Sequence, residues 1–384
     1  MEHETETYAA QYTPKDTWRL RLWVILLPTM TALTPVAASA TGSDMRILGI
    51  ESSCDDTAAA VVEASEQGQL RILSSVVHNQ SSTHARFGGI VPEVASREHI
   101  ARIEPLVSEA LGVVGGPSGV DGIAVTRGPG LIGSLLVGLQ FAKGFALSRG
   151  LPWIGINHLE GHLAAAMLAE DPPPHPHIAV VVSGGHTQLY LVQSFDDTRL
   201  LGGTRDDAAG EAFDKIAKIL GLGYPGGPAI ERAAQGGDPC AVSMPRGLPA
   251  KKLPEFSFSG LKTAAADYLR TCGGSLQGQP LADFCASVQE AICDIITKKA
   301  VVQAGLHGVG GVVLAGGVAA NSRLRLLLNE RCQEAGLWGF APAKSLCTDN
   351  AAMIAAAGYM RLRSGQRTEF EEPARSRWSL GPKL

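Results

Sequence analysis

Two similar layered α/β halves facing one another across a cleft are the fold that this sequence predicts, and three observations point there. From Met45 onward, short β-branched runs alternate with Gly-rich turns and alanine-rich amphipathic segments, the pattern of strands covered by helices. A strand–turn–strand pattern occurs twice. Ile47-Leu-Gly-Ile-Glu-Ser-Ser-Cys-Asp-Asp-Thr57 runs on into 58–62, and Ile178-Ala-Val-Val-Val-Ser-Gly-Gly-His-Thr187 into 188–192. Between the two lies a Pro-rich stretch, 171–177, suited to a boundary. The 384 residues also suit two domains at about 150 residues each.

In chain order, the first repeat supplies strands at 46–50 and 58–63. A helix at 98–111 leads to a strand at 122–126, a helix at 131–148, a strand at 153–156 and a helix at 159–168. The second repeat gives strands at 178–182 and 189–193. A helix at 210–220 follows, with apolar face Phe213, Ile216, Ala217 and Leu220, then a long helix at 281–302. A strand at 311–314 precedes helices at 321–334 and 350–363. The expected domains are 45–175 and 176–384, with the C-terminal helix returning to the first.

Residues 1–44 read as an extension outside the fold, with Met45 opening the first strand. Arg19 and Arg21 ahead of the apolar run 22–27 and Ala38-Ser39-Ala40 resemble a secretory signal, but the run is too short to span a bilayer. Hydrophobic residues are 45% and charged residues 18% of the chain, which excludes a disordered or fibrous protein. The seven cysteines form no C-x-x-C pair, which argues against a disulfide framework or a zinc cluster. A net charge of −4, or −2 without the first 44 residues, supplies no global field for nucleic acid. Any such partner needs a local basic patch.

His158-Leu-Glu-Gly-His162 places two imidazoles one helical turn apart, where they can share a metal that a distant carboxylate completes. Glu160 is offset from the position a zinc peptidase requires, which disfavours proteolysis. Val181-Val-Ser-Gly-Gly-His186 and Leu314-Ala-Gly-Gly-Val-Ala-Ala-Asn321 end strands in paired glycines, where backbone N–H groups can approach an anion. With the turn at 51–57 they make a three-part phosphate cradle. Glu211 or Asp214 caps a helix or binds a ribose or metal, and Tyr224-Pro-Gly-Gly-Pro228 is a rigid turn for a flat ligand. Asp349 precedes the last helix, where capping alone would account for it. Lys262, after Phe256-Ser-Phe-Ser-Gly-Leu, is placed to face a phosphate.

These motifs, together with Gly88-Gly-Ile-Val-Pro-Glu-Val-Ala-Ser-Arg97 and Cys347-Thr-Asp-Asn350, resemble the TsaD family in order over nearly all of 46–378. The resemblance implies an actin-like ATPase fold (the sugar kinase/Hsp70/actin class) of two ribonuclease-H-like domains with a central cleft. It implies transfer of a threonylcarbamoyl group from threonylcarbamoyl-AMP to N6 of the tRNA adenosine just 3′ of the anticodon. By motif position, His158, His162 and Asp349 would hold one divalent metal, Fe2+ or Zn2+. Val181, Val182, Ser183, Gly184, Gly185, Asp214, Gly227 and Asn321 would bind the adenylate, and Asp55 and Asp56 would face the reacting group. Many bacterial members carry Glu where this chain has Asp56, and the family signature expects a bulky neutral residue at Arg149. The implied partners are tRNA, TsaB as a heterodimer mate through a surface helix of the first domain, the ATPase TsaE, and TsaC as source of the intermediate. The expected location is cytoplasmic, without a membrane. For tRNA, Arg323, Arg325, Arg361, Arg363, Arg367, Arg375 and Arg377 are the basic candidates. A non-catalytic nucleotide-binding scaffold is the competing reading, disfavoured by the complete His158/His162/Asp349 set.

Overall fold

The computed structural model describes residues 44–250 and 252–384. The expected extension, 1–44, lies outside them apart from Asp44. Strands β1 (Met45–Glu51), β2 (Asp56–Ala64) and β3 (Leu70–Asn79) form an antiparallel meander. After α1 (Ser81–Ala85) and α2 (Pro92–Gly112), β4 (Gly122–Gly128) joins parallel to β1. Helix α3 (Ile132–Arg149) then leads to β5 (Trp153–Asn157), parallel to β4, so the sheet order is β3-β2-β1-β4-β5. α2 starts six residues before its expected position because Pro92 sits in the first helical turn, where its missing N–H leaves no bond unmade.

Short α4 (His158–Ala164) and a 3₁₀ turn at Ala165–Leu168 carry the chain to the second sheet. Its antiparallel strands are β6 (His177–Val182), β7 (Thr187–Val192) and β8 (Thr198–Gly203). Four helices follow: α5 (Ala209–Ile219), α6 (Gly226–Ala233), α7 (Ser259–Thr271) and the thirty-residue α8 (Gly278–His307). Then come β9 (Gly311–Ala315), α9 (Ser322–Glu334) and β10 (Trp338–Phe340). The sheet order is β10-β9-β6-β7-β8, with β9 parallel to both neighbours, which repeats the first sheet strand for strand.

After α10 (Lys344–Cys347), α11 (Ala351–Arg363) lies against β1, β2 and β4 of the first sheet and against α4. Its run Ala351, Ala352, Ala355, Ala356, Ala357 and Gly358 is buried on all sides. A Cβ added at Gly358 would meet the Ala124 Cβ at 2.2 Å, so small residues are the condition for this close docking. α4 touches both β5 and β6 and so sits between the sheets. Helices α2 and α3 cover the other face of the first sheet, with Leu48, Ile103, Ile123 and Leu139 in that layer. The largest apolar layer joins the second sheet to α5 through α9, around Phe213, Phe256 and Phe284. The last segment crosses from sheet to sheet: Arg375 N donates to the Arg127 carbonyl at 2.8 Å, and Leu200 N to the Pro382 carbonyl at 2.9 Å.

Candidate functional site

β5 ends in Asn157, whose side-chain oxygen accepts from Leu159 N at 2.9 Å and so caps α4. This starts the helix at His158 and puts His158 and His162 on one face, their ring centroids 4.6 Å apart. Asp349 arrives from the far end of the sequence just before α11. Asn350, not Asp349, is the cap of that helix, accepting from Met353 N at 2.9 Å. The Asp349 carboxylate is thereby spared, and its Oδ1 lies 3.4 Å from His158 Nε2 and 3.3 Å from His162 Nε2. One ligand atom from each of the three falls within 4.8 Å of the others.

Glu51, at the end of β1, sets the orientation of His158. Its Oε2 lies 3.0 Å from His158 Nδ1 and also accepts from Thr126 Oγ1, while Oε1 accepts from Ser53 N. A carboxylate at Nδ1 keeps a proton there and directs Nε2 toward Asp349, where that nitrogen can give its lone pair to a metal in place of a proton. Burial opposes a charged His158, yet the Asp349 and Glu51 carboxylates hold its pKa well above the usual value. Burial likewise opposes the Asp349 charge, but His158 and His162 hold that carboxyl well below the usual range. His162 differs. It is fully buried, neither ring nitrogen makes a well-formed hydrogen bond among the described residues, and burial pushes its pKa down. A buried, neutral imidazole beside a second imidazole and a carboxylate is a donor set that fits a divalent first-row metal.

The turn between β1 and β2 carries Asp55 and Asp56. Burial, then the Asp349 charge, raises both pKa values, Asp56 to about 8, although Asn79 Nδ2 donates to Asp56 Oδ1 at 2.6 Å. His99 of α2 braces this turn through Thr57 Oγ1 at 2.7 Å and the Cys54 carbonyl at 3.1 Å. Neither Glu51 nor His99 was singled out by the sequence. The one signal for Glu51 was an acidic residue ending an otherwise apolar strand, and nothing local marked His99.

In the second half, Ser183 follows the end of β6. Ser183 N donates to the His186 carbonyl at 2.8 Å and His186 N to Ser183 Oγ at 3.1 Å, which leaves Gly184 and Gly185 exposed. Val181 and Val182 are buried, so they offer backbone alone. Gly316 meets this turn at φ +87°, where an added Cβ would lie 2.5 Å from the Val182 carbonyl oxygen. Asp214 Oδ1 accepts from Gly226 N at 2.7 Å and so folds the Pro-Gly-Gly turn, with Gly227 half-buried beside it. The Asp214 pKa rises through burial and also through Asp55, and that of Tyr224 through burial, Asp55 and Asp214. The acidic turn of the first half therefore faces the Gly-rich turns of the second. Asn321 is buried, and its carboxamide is spent on Gln289 Oε1 at 2.8 Å and on capping Leu324 N at 3.0 Å. His186 is pushed down to about 4 by burial and then by the neighbouring His158 and His162.

Other candidates are occupied elsewhere. Glu160 Oε1 accepts from Arg361 Nε at 2.7 Å on the face of α4 away from the cluster, so it is unavailable as a peptidase base. Arg323 pairs with Glu290 at 2.7 Å, Arg375 with Glu372 at 3.2 Å, and Arg325 donates to the Ala319 and Pro342 carbonyls. Lys262 is exposed in the first turn of α7.

The model of the TsaD family, described as tRNA N6-adenosine threonylcarbamoyltransferase, matches residues 71–356. The tRNA N6-adenosine threonylcarbamoyltransferase of Anaeromyxobacter dehalogenans (strain 2CP-C) is 54% identical over 337 residues, 87% of this chain and 99% of that protein. The protein of that name from Syntrophus aciditrophicus (strain SB) is 51% identical over 337 residues, 88% of this chain and 98% of that one. Among solved structures, HypF of T. kodakarensis superposes with a TM-score of 0.53 at 14% identity, over 82% of this chain and 47% of that one. At that identity the likeness concerns the fold alone, the actin-like ATPase fold with its two repeated sheets.

Proposed function

The chain belongs to the TsaD family of tRNA N6-adenosine threonylcarbamoyltransferases, and from that premise we propose that it transfers the threonylcarbamoyl group of threonylcarbamoyl-AMP to N6 of the tRNA adenosine just 3′ of the anticodon. The observation that carries this reading is the convergence of His158, His162 and Asp349 with the Asp55–Asp56 turn, opposite the turns of the second half. Residues 45–175 and 176–384 would be the two domains, with α11 belonging to the first.

His158, His162 and Asp349 would hold one divalent ion, Fe2+ or Zn2+. When bound, such an ion supplies Lewis-acid polarisation of the carbamoyl carbonyl. Gly184, Gly185 and Gly227 would hold the adenylate through backbone N–H groups, with Val181, Val182, Ser183 and Asn321 shaping the turns from behind and Asp214 fixing the Pro-Gly-Gly turn. Held there, the phosphate can leave. The adenosine N6 lone pair forms the new bond to the carbamoyl carbon, the carbon–oxygen bond to phosphate breaks, and AMP departs with that electron pair. The N6 proton passes to Asp55 or Asp56. An anticodon loop presents splayed bases, so no duplex has to open.

TsaB, TsaE and TsaC would be the partners. Ile100 of α2 and Ile132 and Leu136 of α3 are exposed apolar residues on the outer helices of the first half, a face suited to TsaB. No helix among the described residues is long and apolar enough to cross a membrane, and the proposed location is cytoplasmic. The test is to incubate the purified chain with threonylcarbamoyl-AMP, substrate tRNA and these partners and to assay the modified nucleoside by mass spectrometry. Product is expected from the natural chain and not from the double variant His158→Ala, His162→Ala. No product from the natural chain, or undiminished product from the variant, would overturn the reading.

A further inference from the structure

The metal-ligand cluster draws on two helices far apart in sequence, α4 for both histidines and the head of α11 for Asp349. Their relative placement therefore decides whether three ligand atoms converge. Two features of their packing bear on it. The first is steric: Gly161, between the two histidines, faces α11 so closely that an added Cβ would lie 2.6 Å from Ile354 Cδ1 and 3.3 Å from Met353 Cγ. The second is ionic and lies toward the far end of α11. Arg361 gives its Nε and Nη2 to Glu160 Oε1 at 2.7 and 2.6 Å, and its Nη1 to Asp196 Oδ1 at 2.8 Å in the turn between β7 and β8. Its guanidinium also lies 5.0 Å from the Phe195 ring centroid. The Glu160 side chain is only 10% exposed and that of Arg361 22%. Glu160 is also the third residue of α4.

We propose that Glu160 and Arg361 are positioning residues of the metal centre: the pair sets the rotation of α4 against α11 and so brings His158 and His162 into register with Asp349. This rests on the reading of those three residues as metal ligands. It also reassigns Arg361, which the sequence offered as a tRNA contact, to the interior. A largely buried ion pair adds little net stability compared with an apolar pair of the same shape, and its value lies in fixing one geometry. Metal affinity, rather than melting temperature, is therefore the quantity it controls.

The test measures zinc affinity of the full chain by competition with a chromophoric chelator for Glu160→Gln, Arg361→Met and the double variant, with circular dichroism reporting the folded fraction and tRNA KM and kcat measured beside it. Each single variant should bind zinc about tenfold more weakly, the range typical of groups that orient metal ligands. The double variant should bind no more weakly than the worse single, because both remove one contact. kcat should fall while tRNA KM holds. Arg361→Lys, which keeps the charge and one donor, should recover part of the affinity. Natural zinc affinity in both folded single variants, or a raised tRNA KM with metal affinity intact in Arg361→Met, would overturn the proposal. Natural zinc affinity in His162→Ala would instead overturn the reading of the site itself.

Discussion

Glu51 shows how much of the proposed metal centre lies behind its candidate ligands. With Oε2 on His158 Nδ1 and both oxygens taking further donors, it is held rigidly and holds the imidazole in turn. Glu51→Gln keeps the shape and removes the charge that favours Nδ1–H, so zinc affinity should fall about 10–100-fold in a chelator competition. Unchanged affinity would remove this role from Glu51. Asp56 makes a second prediction, for the metal-free protein. Its pKa is raised from 3.8 to about 8 by burial, Asp349 and Asp55, so the native state keeps a proton that the unfolded chain gives up near pH 4. The neutral acid therefore contributes stability that is complete below pH 4 and is lost as pH rises to about 8. In thermal melts, the stability of Asp56→Asn relative to the natural chain should climb over that window and level off above it, and a pH-independent difference would refute the shift. Binding a divalent cation opposes the Asp349 charge and should shrink the difference. The grouping of His158, His162 and Asp349 was legible in the sequence because helical spacing puts the two histidines together and the resemblance to the family names Asp349. Glu51, His99 and His186 were not, because their contacts arise from β1 meeting β4 and α4, from α2 meeting β2 and the turn before it, and from β6 meeting α4. No local pattern encodes those contacts.

Among the elements, legibility followed burial. β1, β4, β6 and β9 are central strands buried on both faces, and their continuous aliphatic runs mark them in the sequence. β3, β8 and β10 had no such mark. β3 lies at an edge with alternating exposure and a Ser74-Ser75 pair, β8 ends in two glycines, and β10 is three residues long. They exist because a neighbouring strand offers a ladder. α11 was visible as a helix, but not its depth, since alanines read as amphipathic filler until the close approach to β1 and β4 is known. Its Gly358 tests that depth. An alanine there gains up to about 1 kcal/mol of helix propensity, but the added methyl overlaps the Ala124 Cβ, and overpacking costs about 1–3 kcal/mol. The steric effect should win, and urea denaturation of Gly358→Ala should show a net loss of about 1 kcal/mol or more with an unchanged m-value. Equal or greater stability would mean that α11 can slide outward, which would also loosen the placement of Asp349.

Over the whole molecule, charge decides how an acidic chain handles tRNA. Of the seven arginines that the sequence offered, Arg323, Arg361 and Arg375 are matched by carboxylates and Arg325 is turned onto carbonyl groups. Arg363, Arg367 and Arg377 form no ion pair among the described residues. With about three such cations, counterion release gives the logarithm of tRNA affinity a slope of about −2 against the logarithm of salt, at roughly 0.7 per phosphate for a single-stranded loop. The isolated chain should therefore bind tRNA weakly and with a shallow salt dependence, and adding the proposed heterodimer partner should tighten binding and steepen the slope. Titrations of labelled tRNA at several salt concentrations measure both quantities. A slope of about −5 or steeper for the chain alone would locate a strong basic surface on this protein and remove the need for a shared one. A slope near −2 that steepens only with the partner would place most of the phosphate contacts on the partner, leaving this chain to supply the metal centre and the adenylate turns.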